Sequence, residues 1–136
     1  MTNIIETPYV FEWLVSTLSD IAPGGAWESL APFGLEETFI TFNKQASGDE
    51  NGVAGTRLWN GGLYQVKAVG LTSKYAEIIT AANEIDDRLT KARATTEHII
   101  IVHCVRVDTV AYKESATSGQ EWSHLGGIYN IAAQPA

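Results

Sequence analysis

The chain has 136 residues, of which 45% are hydrophobic and 18% are charged. This length and composition predict a single folded domain spanning residues 1–136. Nine basic against sixteen acidic residues give a formal net charge of −7. That balance argues against sequence-independent nucleic-acid binding, which needs clustered Lys and Arg to neutralise phosphates. The longest apolar run, Ile99 to Val102, is far shorter than the ~20 residues that span a bilayer, and no signal-like segment opens the chain. We therefore expect a soluble protein made in the cytoplasm.

The first predicted element is a short amphipathic helix in "TPYVFEWLVSTLSD". Thr7 followed by Pro8 has the pattern of an N-cap and a first helical position, and apolar side chains recur at Val10, Leu14 and Leu18. An irregular connection, "IAPGGAWESLAPFG", comes next. We expect its large apolar side chains to pin it to the body of the domain: Trp27, Leu30 and Phe33.

The next part of the chain predicts two strands separated by a long polar loop. Alternating residues favour a strand over Thr38–Asn43. The loop, Lys44–Thr56, has no apolar period and is too long for a tight hairpin turn. After it, "YQVKA" predicts a strand with Tyr64, Val66 and Ala68 on one face.

The second half of the chain predicts a helix and two more strands. Ser73 is a candidate N-cap for a helix whose apolar stripe comprises Tyr75, Ile78, Ile79, Ala82, Ile85 and Leu89. The β-branched segment "HIIIVHCVRVDTVAY" predicts a central strand buried on much of both faces. A hairpin connection over 113–121 leads to a last strand, Trp122–Ala133. The predicted fold is α+β, with a mostly antiparallel four-stranded sheet and both helices on one face.

A doubled glycine occurs before a tyrosine in both "WNGGLYQV" and "WSHLGGIYNI". Glycine inside a strand usually marks a bulge or the close approach of another backbone. We predict that both pairs help to build the sheet, each preceding an inward pattern: Tyr64, Val66, Ala68 and Tyr129, Ile131, Ala133. The alternative is a pocket that uses His124, which needs converging partners that the sequence does not identify.

No pattern in the sequence indicates catalysis, a cofactor or a metal ion. The histidine spacings match no metal-ligand motif, and the adjacent Ser123 and His124 diverge on a strand, so they cannot form a nucleophile–base pair. The single cysteine, Cys104, lies in an apolar run, where a thiol is usually a small buried hydrophobe. We expect no enzyme activity.

Four blocks read together resemble a known family: "YVFEWLVSTLS", "TRLWNGGLYQVKAVG", "ITAANEIDDRL" and "CVRVDTVAYKESATSGQEWSHLGGIYNI". In this order and spacing, over roughly Tyr9 to Ile131, the chain resembles the tail-terminator, or tail-completion, proteins of long-tailed bacteriophages. The resemblance implies a virion protein that caps the head-proximal end of the tail tube as a hexameric ring, stops tube polymerisation and presents a docking surface for the head connector. It implies no catalytic residue.

The resemblance also directs the choice of candidate site residues. The subunit or tube interface is predicted in the polar loop and its edge, at Lys44, Gln45, Asp49, Glu50, Asn51 and Arg57. DNA would pass the ring without specific binding, so the channel is predicted to be neutral or acidic, with candidates Asp49, Glu50, Glu114 and Glu121. The expected partners are further copies of the chain, the tube protein and a head-tail connector or stopper. Two alternatives remain open: another neck or head-tail joining protein, and a small cytoplasmic enzyme or ligand-binding domain.

Overall fold

The structure is a computed structural model that describes the backbone of residues 5–51 and 57–136 and the side chains of 5–45 and 61–136. Within these ranges, two α-helices and six strands follow one another. In order they are α1 Thr7–Leu18, β1 Ala26–Glu28, β2 Phe39–Asn51, β3 Arg57–Leu71, α2 Tyr75–Leu89, β4 Ala94–Thr95, β5 Ile99–Ser115 and β6 Glu121–Pro135.

The strands form one sheet in the order β1-β2-β3-β6-β5-β4. Every neighbouring pair is antiparallel except β1 and β2, which are parallel. The α+β class is therefore confirmed, but the four-stranded sheet was wrong by two strands. β1 and β4 have three and two residues, too few for a sequence period to reveal them.

Both helices pack on one face of the sheet, as predicted. The core joins Val10, Leu14 and Leu18 of α1 to the buried side of α2 and to alternate residues of the long strands. Pro8 lies in the first turn of α1, but the helix already begins at Thr7 and Glu6 occupies the cap position. The Thr7 side chain instead accepts a hydrogen bond from Lys44 Nζ, at 2.7 Å.

The α2 helix buries a narrower stripe than its sequence predicted. The buried residues are Ile78, Ala81, Ala82, Ile85 and Leu89, while Tyr75 and Ile79 are about two-fifths exposed, at 41% and 38%. Tyr75 lies in the first turn, after a 3-10 turn over Thr72–Lys74. Ile79 follows the buried Ile78 and is rotated about 100° from it around the helix axis.

The predicted loop Lys44–Thr56 is largely strand. Residues 44–51 continue β2 and pair with 57–64 of β3, with a register shift between Lys44 and Ala46. Backbone pairing needs no apolar side chain, so a polar segment can extend a hairpin without any hydrophobic period. Residues 52–56 lie outside the described part of the chain.

The predicted central strand is mostly an edge strand. β5 pairs with β6 along its length, but on its other side β4 pairs only with Ile100 and Ile101. Its first half is buried at Ile99, Ile101 and Cys104, whereas Val107 is 55% exposed. A run of β-branched residues indicates a strand, but it does not give the strand's place in the sheet.

The connection between β1 and β2 is not pinned by its large apolar side chains. Leu30 and Phe33 are 84% and 107% exposed, and Trp27 is about one-third exposed. Backbone bonds hold the segment instead: Gly24 N–H donates to Thr38 O at 2.8 Å, and Ser29 N–H donates to Phe42 O at 2.8 Å. The sequence prediction was wrong for Leu30 and Phe33, whereas Trp27, in β1, is about two-thirds covered and donates its indole N–H to Gly24 O at 2.7 Å.

The doubled glycines lie inside β3 and β6, as predicted. The two inward patterns that follow them are buried and face α2, with Tyr64 directly opposite Tyr129. At Gly126 a Cβ atom would lie 2.2 Å from Val66 O and 2.5 Å from Lys67 Cα. This close approach of two backbones requires glycine, so the sheet-building interpretation is confirmed at this position.

Candidate interaction surface

Both helices cover one face of the sheet, and in the described part of the chain the other face carries no helix. Strand alternation places the second set of side chains, Phe39, Thr41, Lys67, Val69, Tyr112, Glu114, Trp122 and His124, on this side. We call it the open face. Its residues are cross-strand neighbours: Val69 lies opposite His124, and His124 lies opposite Tyr112.

Four polar side chains of the open face bind one another in a row. Lys67 Nζ donates a hydrogen bond to the Tyr112 hydroxyl at 2.5 Å. The Tyr112 ring stacks on His124, with ring centroids 4.2 Å apart and planes 12° apart. His124 Nε2 lies 2.5 Å from Glu114 Oε1. The row joins β3, β6 and β5. Its side chains use their polar atoms largely for bonds to one another.

Burial favours the neutral form of His124. The residue is 8% exposed, and burial lowers its pKa below the usual value, an effect to which the charge of Lys67 adds and which Glu114 opposes. Its Nδ1 atom is buried and has no hydrogen-bond partner among the described residues. A neutral ring that donates from Nε2 to Glu114 fits both observations, because protonation would bury an unpaired N–H.

A groove of about 440 Å³ runs along the open face beside this row. The chain between β1 and β2 forms its other wall through Leu30, Pro32 and Leu35. The floor combines apolar and polar side chains: Phe39, Thr41, Lys67, Val69, Trp122 and His124. The exposed side chain of Leu30 lies on this wall, and the fully exposed Phe33 belongs to the same segment, so the groove and the segment beside it offer the kind of apolar surface that protein interfaces use.

Sequence reasoning named His124 only in the alternative of a pocket and did not identify its partners. Lys67, Tyr112 and Glu114 come from three strand positions that only the sheet register brings together. The available sequence signal was strand alternation, which places Lys67, Tyr112 and Glu114 on the face opposite the core residues. The His124 ring is buried and hydrogen-bonded, so we expect His124→Ala to lower the stability of the domain.

The predicted interface residues lie along one hairpin. Lys44 Nζ binds the Thr7 hydroxyl and lies 5.6 Å from the centroid of the Tyr64 ring. Gln45 is exposed and lies at the register shift of β2. The backbones of Asp49, Glu50 and Asn51 pair with Asn60, Trp59 and Arg57. The side chains of these paired residues lie outside the described part of the chain.

The four predicted acidic residues fall into two groups. Asp49 and Glu50 lie at the level of Asn60, whereas Glu114 and Glu121 flank the β5–β6 turn at the level of Leu71. Eleven residues of β3 separate these levels, which corresponds to about 36 Å. Glu114 binds His124, and Glu121 Oε1 lies 3.8 Å from Lys113 Nζ. Within one copy the structure does not bring the two groups together.

Polar groups on the helix-covered face are structural. Tyr129 donates its hydroxyl to Asp86 Oδ1 at 2.8 Å, and Arg106 Nη1 lies 3.3 Å from the same oxygen. Burial raises the pKa of the Tyr129 phenol, and the Asp86 hydrogen bond adds to the rise. Cys104 is 1% exposed, and burial raises its thiol pKa to about 12. The interpretation of Cys104 as a buried hydrophobe is confirmed.

No three His, Cys, Asp or Glu side chains within the described ranges converge as metal ligands would. Among the same residues, no helix combines the length and hydropathy needed to cross a membrane.

Comparison with known proteins gives a fold but no family. No family model matches the chain, and no curated protein matches it. Among solved structures, a chain of the structure described as "Virion of native gene transfer agent (GTA) particle" has a TM-score of 0.57 and 14% identity. The likeness covers 92% of this chain and 85% of that one. It therefore extends over nearly the whole α+β domain and shows a shared fold.

Proposed function

We propose that the chain is a structural protein of a phage-like virion. The observation that carries the proposal is the fold shared with a chain of a gene transfer agent virion, over 92% of the length. Four sequence blocks resemble tail-terminator proteins, and these blocks contribute α1, α2 and the central strands to the same domain. The open face, with its exposed apolar rim, supports a role in assembly because contiguous apolar patches mark protein-interaction sites.

The specific role we propose is that of tail terminator. Six copies close into a ring on the head-proximal end of the tail tube, end its polymerisation and offer the surface for the head connector. The candidates for acidic residues that line the channel are Asp49, Glu50, Glu114 and Glu121, of which Glu114 lies on the open face. Lys67 lies on the same face as Glu114, so this part of the lining would be close to neutral, which still permits DNA to pass.

Electron microscopy of particles produced without the chain tests this role. A missing terminator leaves tails of uncontrolled length that lack heads. Tails of normal length that fail to join heads would instead indicate another neck protein, such as a connector or stopper. Normal particles would contradict both roles.

A ligand-binding role is the second candidate, because the open face has a groove of about 440 Å³ containing Lys67 and His124. These groups are already bound to Tyr112 and Glu114, which leaves few polar atoms to orient a small molecule. An apolar protein side chain suits such a groove better. Leu30→Ser on the groove wall should leave the fold intact, because Leu30 is 84% exposed, and should reduce attachment of the chain to tails, measured by its content in purified particles.

A further inference from the structure

The connection between β1 and β2 carries one large aromatic side chain that is fully exposed. Six of the seven residues 29–35 line the groove of the open face, and the exception is Phe33. Its exposure is 107%, although residues on both sides of it in the chain contact the apolar groove. Phe33 is therefore directed away from the groove that its own segment helps to form.

A tight turn fixes the direction of this side chain. Leu35 N–H donates a hydrogen bond to Pro32 O at 3.3 Å, which closes a four-residue turn with Phe33 and Gly34 at its centre. Gly34 has a φ of +85°, the left-handed value that a type II turn requires at its third residue. We call residues 32–35 the Phe33 turn. Because the turn is already ordered, presenting Phe33 to a partner costs little further conformational entropy.

The groove has an aromatic floor and room for a further ring. Its volume is about 440 Å³. The Phe39 and Trp122 rings on its floor have centroids 6.2 Å apart and planes 56° apart. Two tilted rings offer a face and an edge to a third ring, and these are the contacts that aromatic side chains prefer. A phenylalanine side chain is therefore a suitable occupant of the groove.

Charge indicates which phenylalanine this is. Lys67 on the groove floor bonds to the Tyr112 hydroxyl and, among the described residues, pairs with no carboxylate. Glu36 and Glu37 are exposed just after the Phe33 turn and have no cationic partner within the described ranges. Four residues of extended chain reach at most about 14 Å. A copy that inserts Phe33 into a groove therefore brings two carboxylates toward the unpaired cation on its floor.

We propose that the Phe33 turn of one copy inserts its aromatic side chain into the open-face groove of a second copy. The turn and the groove are different surfaces of the chain, so the contact is heterologous, and its repetition gives a ring when the rotation between copies closes. The contact joins neighbouring copies of the proposed tail-terminator ring, and in that respect it rests on the proposed function.

Two variants on different elements separate the two halves of the contact. Phe33→Ser removes the inserted side chain and should leave the fold intact, because that side chain is fully exposed. Ala116→Trp, at an exposed position of the β5–β6 turn that lines the groove, should fill the groove and leave the Phe33 turn unchanged. Val107→Ser, which changes a side chain of β5 that is 55% exposed, is the control.

Sedimentation velocity of the variants, alone and mixed, provides the measurement. We expect the parent and Val107→Ser to self-associate alike, and Phe33→Ser and Ala116→Trp each to associate at least about tenfold more weakly. An equimolar mixture of the last two should form dimers and no larger species, because the Phe33 turn of one variant still fits the groove of the other.

A charge variant keeps the test decisive if Ala116→Trp fails to fold. Glu36→Lys combined with Glu37→Lys places like charge near Lys67 of the neighbouring copy and should also weaken self-association of the chain. Unchanged association of this variant, or a mixture that sediments like its separate components, would overturn the contact.

The contact and the tail-terminator role fail in different ways. A parent chain that stays monomeric up to about 1 mM would overturn the contact, and loss of the Phe33→Ser chain from particles would then assign Phe33 to the tube protein. Overlong tails in particles without the chain would still support the terminator role in that case. Normal particles together with a dimeric mixture would refute that role and leave the contact standing.

Discussion

The two faces of the sheet are built from alternate residues of the same strands, yet they have opposite properties. The helix-covered face buries Tyr64, Val66, Tyr129 and Ile131 almost completely. The open face presents Lys67, Tyr112 and Glu114 in a row of polar contacts beside a groove. The first face stabilises the domain by removing apolar area from water. The second face also buries some side chains, such as Val69 at 4% and His124 at 8% exposure, but its groove and the exposed Tyr112 leave surface available for partners.

This division teaches that position in the strand alternation, and not residue type, decides the role of a side chain. Tyr129 and Tyr112 are both tyrosines on the β5–β6 hairpin, but one is 1% exposed and the other 44%. Mutations matched in chemistry and differing in face should therefore separate stability from assembly.

The largest expected effect comes from emptying the core beneath α2. Ile78→Ala removes a fully buried side chain and should lower the free energy of unfolding by about 2–5 kcal/mol, because it leaves a cavity. Ile79→Ala, the neighbouring position at 38% exposure, should cost less than about 1 kcal/mol. Urea denaturation measures both. Equal losses would mean that the helix does not pack by the face described.

The next effect tests the close approach of β3 and β6. Gly126→Val places a side chain against Val66 O and Lys67 Cα, which are backbone atoms that cannot move aside. We expect a loss of about 3 kcal/mol. Gly127→Val meets first the flexible end of Arg106, with Cδ at 2.8 Å, and should cost about 1–2 kcal/mol. Thermal melts of the two variants measure both losses of stability. A larger loss for Gly127→Val than for Gly126→Val would contradict this geometry.

A smaller effect on stability distinguishes the hydroxyl of Tyr129 from that of Tyr112. Tyr129→Phe removes a buried hydrogen bond to Asp86 and leaves that carboxylate with one partner fewer, so we expect a loss of about 1–2 kcal/mol. Tyr112→Phe removes a bond to Lys67 near solvent and should cost only a few tenths of a kcal/mol. Chemical denaturation of both variants provides the measurement. Similar losses would show that the open face contributes to stability as the covered face does.

The smallest effect concerns pH and the open face. The pKa of His124 is lowered in the folded state, so the unfolded chain binds a proton more readily and stability falls as pH drops below the ordinary histidine range. His124→Gln should therefore flatten the decline in melting temperature between pH 7 and pH 5. His103→Gln, at an exposed position, is the control and should retain the parent's decline. An unchanged profile in His124→Gln would argue against a buried neutral ring.

How much of the site could be predicted from the sequence depended on how far apart in the chain the contacting residues lie. His124 was recognisable beside its glycines, but Glu114, Tyr112 and Lys67 became its partners only through the register of three strands. The sequence analysis named Glu114 as a candidate channel residue. No feature near Glu114 in the sequence indicates its contact with His124. The exposure of Leu30 and Phe33 was also missed, because an apolar side chain in a connection looks the same in sequence whether it packs inward or faces a partner.

The sequence by itself determined the elements with strong periods: both helices, the inward patterns after each doubled glycine, the β5–β6 hairpin and the burial of Cys104. These depend on residues a few positions apart, where backbone geometry fixes which side chains share a face. Only the tertiary structure decided the order of the strands, the parallel β1, the edge position of β5 and the extension of β2 through a polar segment. These features rest on backbone hydrogen bonds between distant segments, which every residue except proline can donate, so the side-chain pattern carries no record of them.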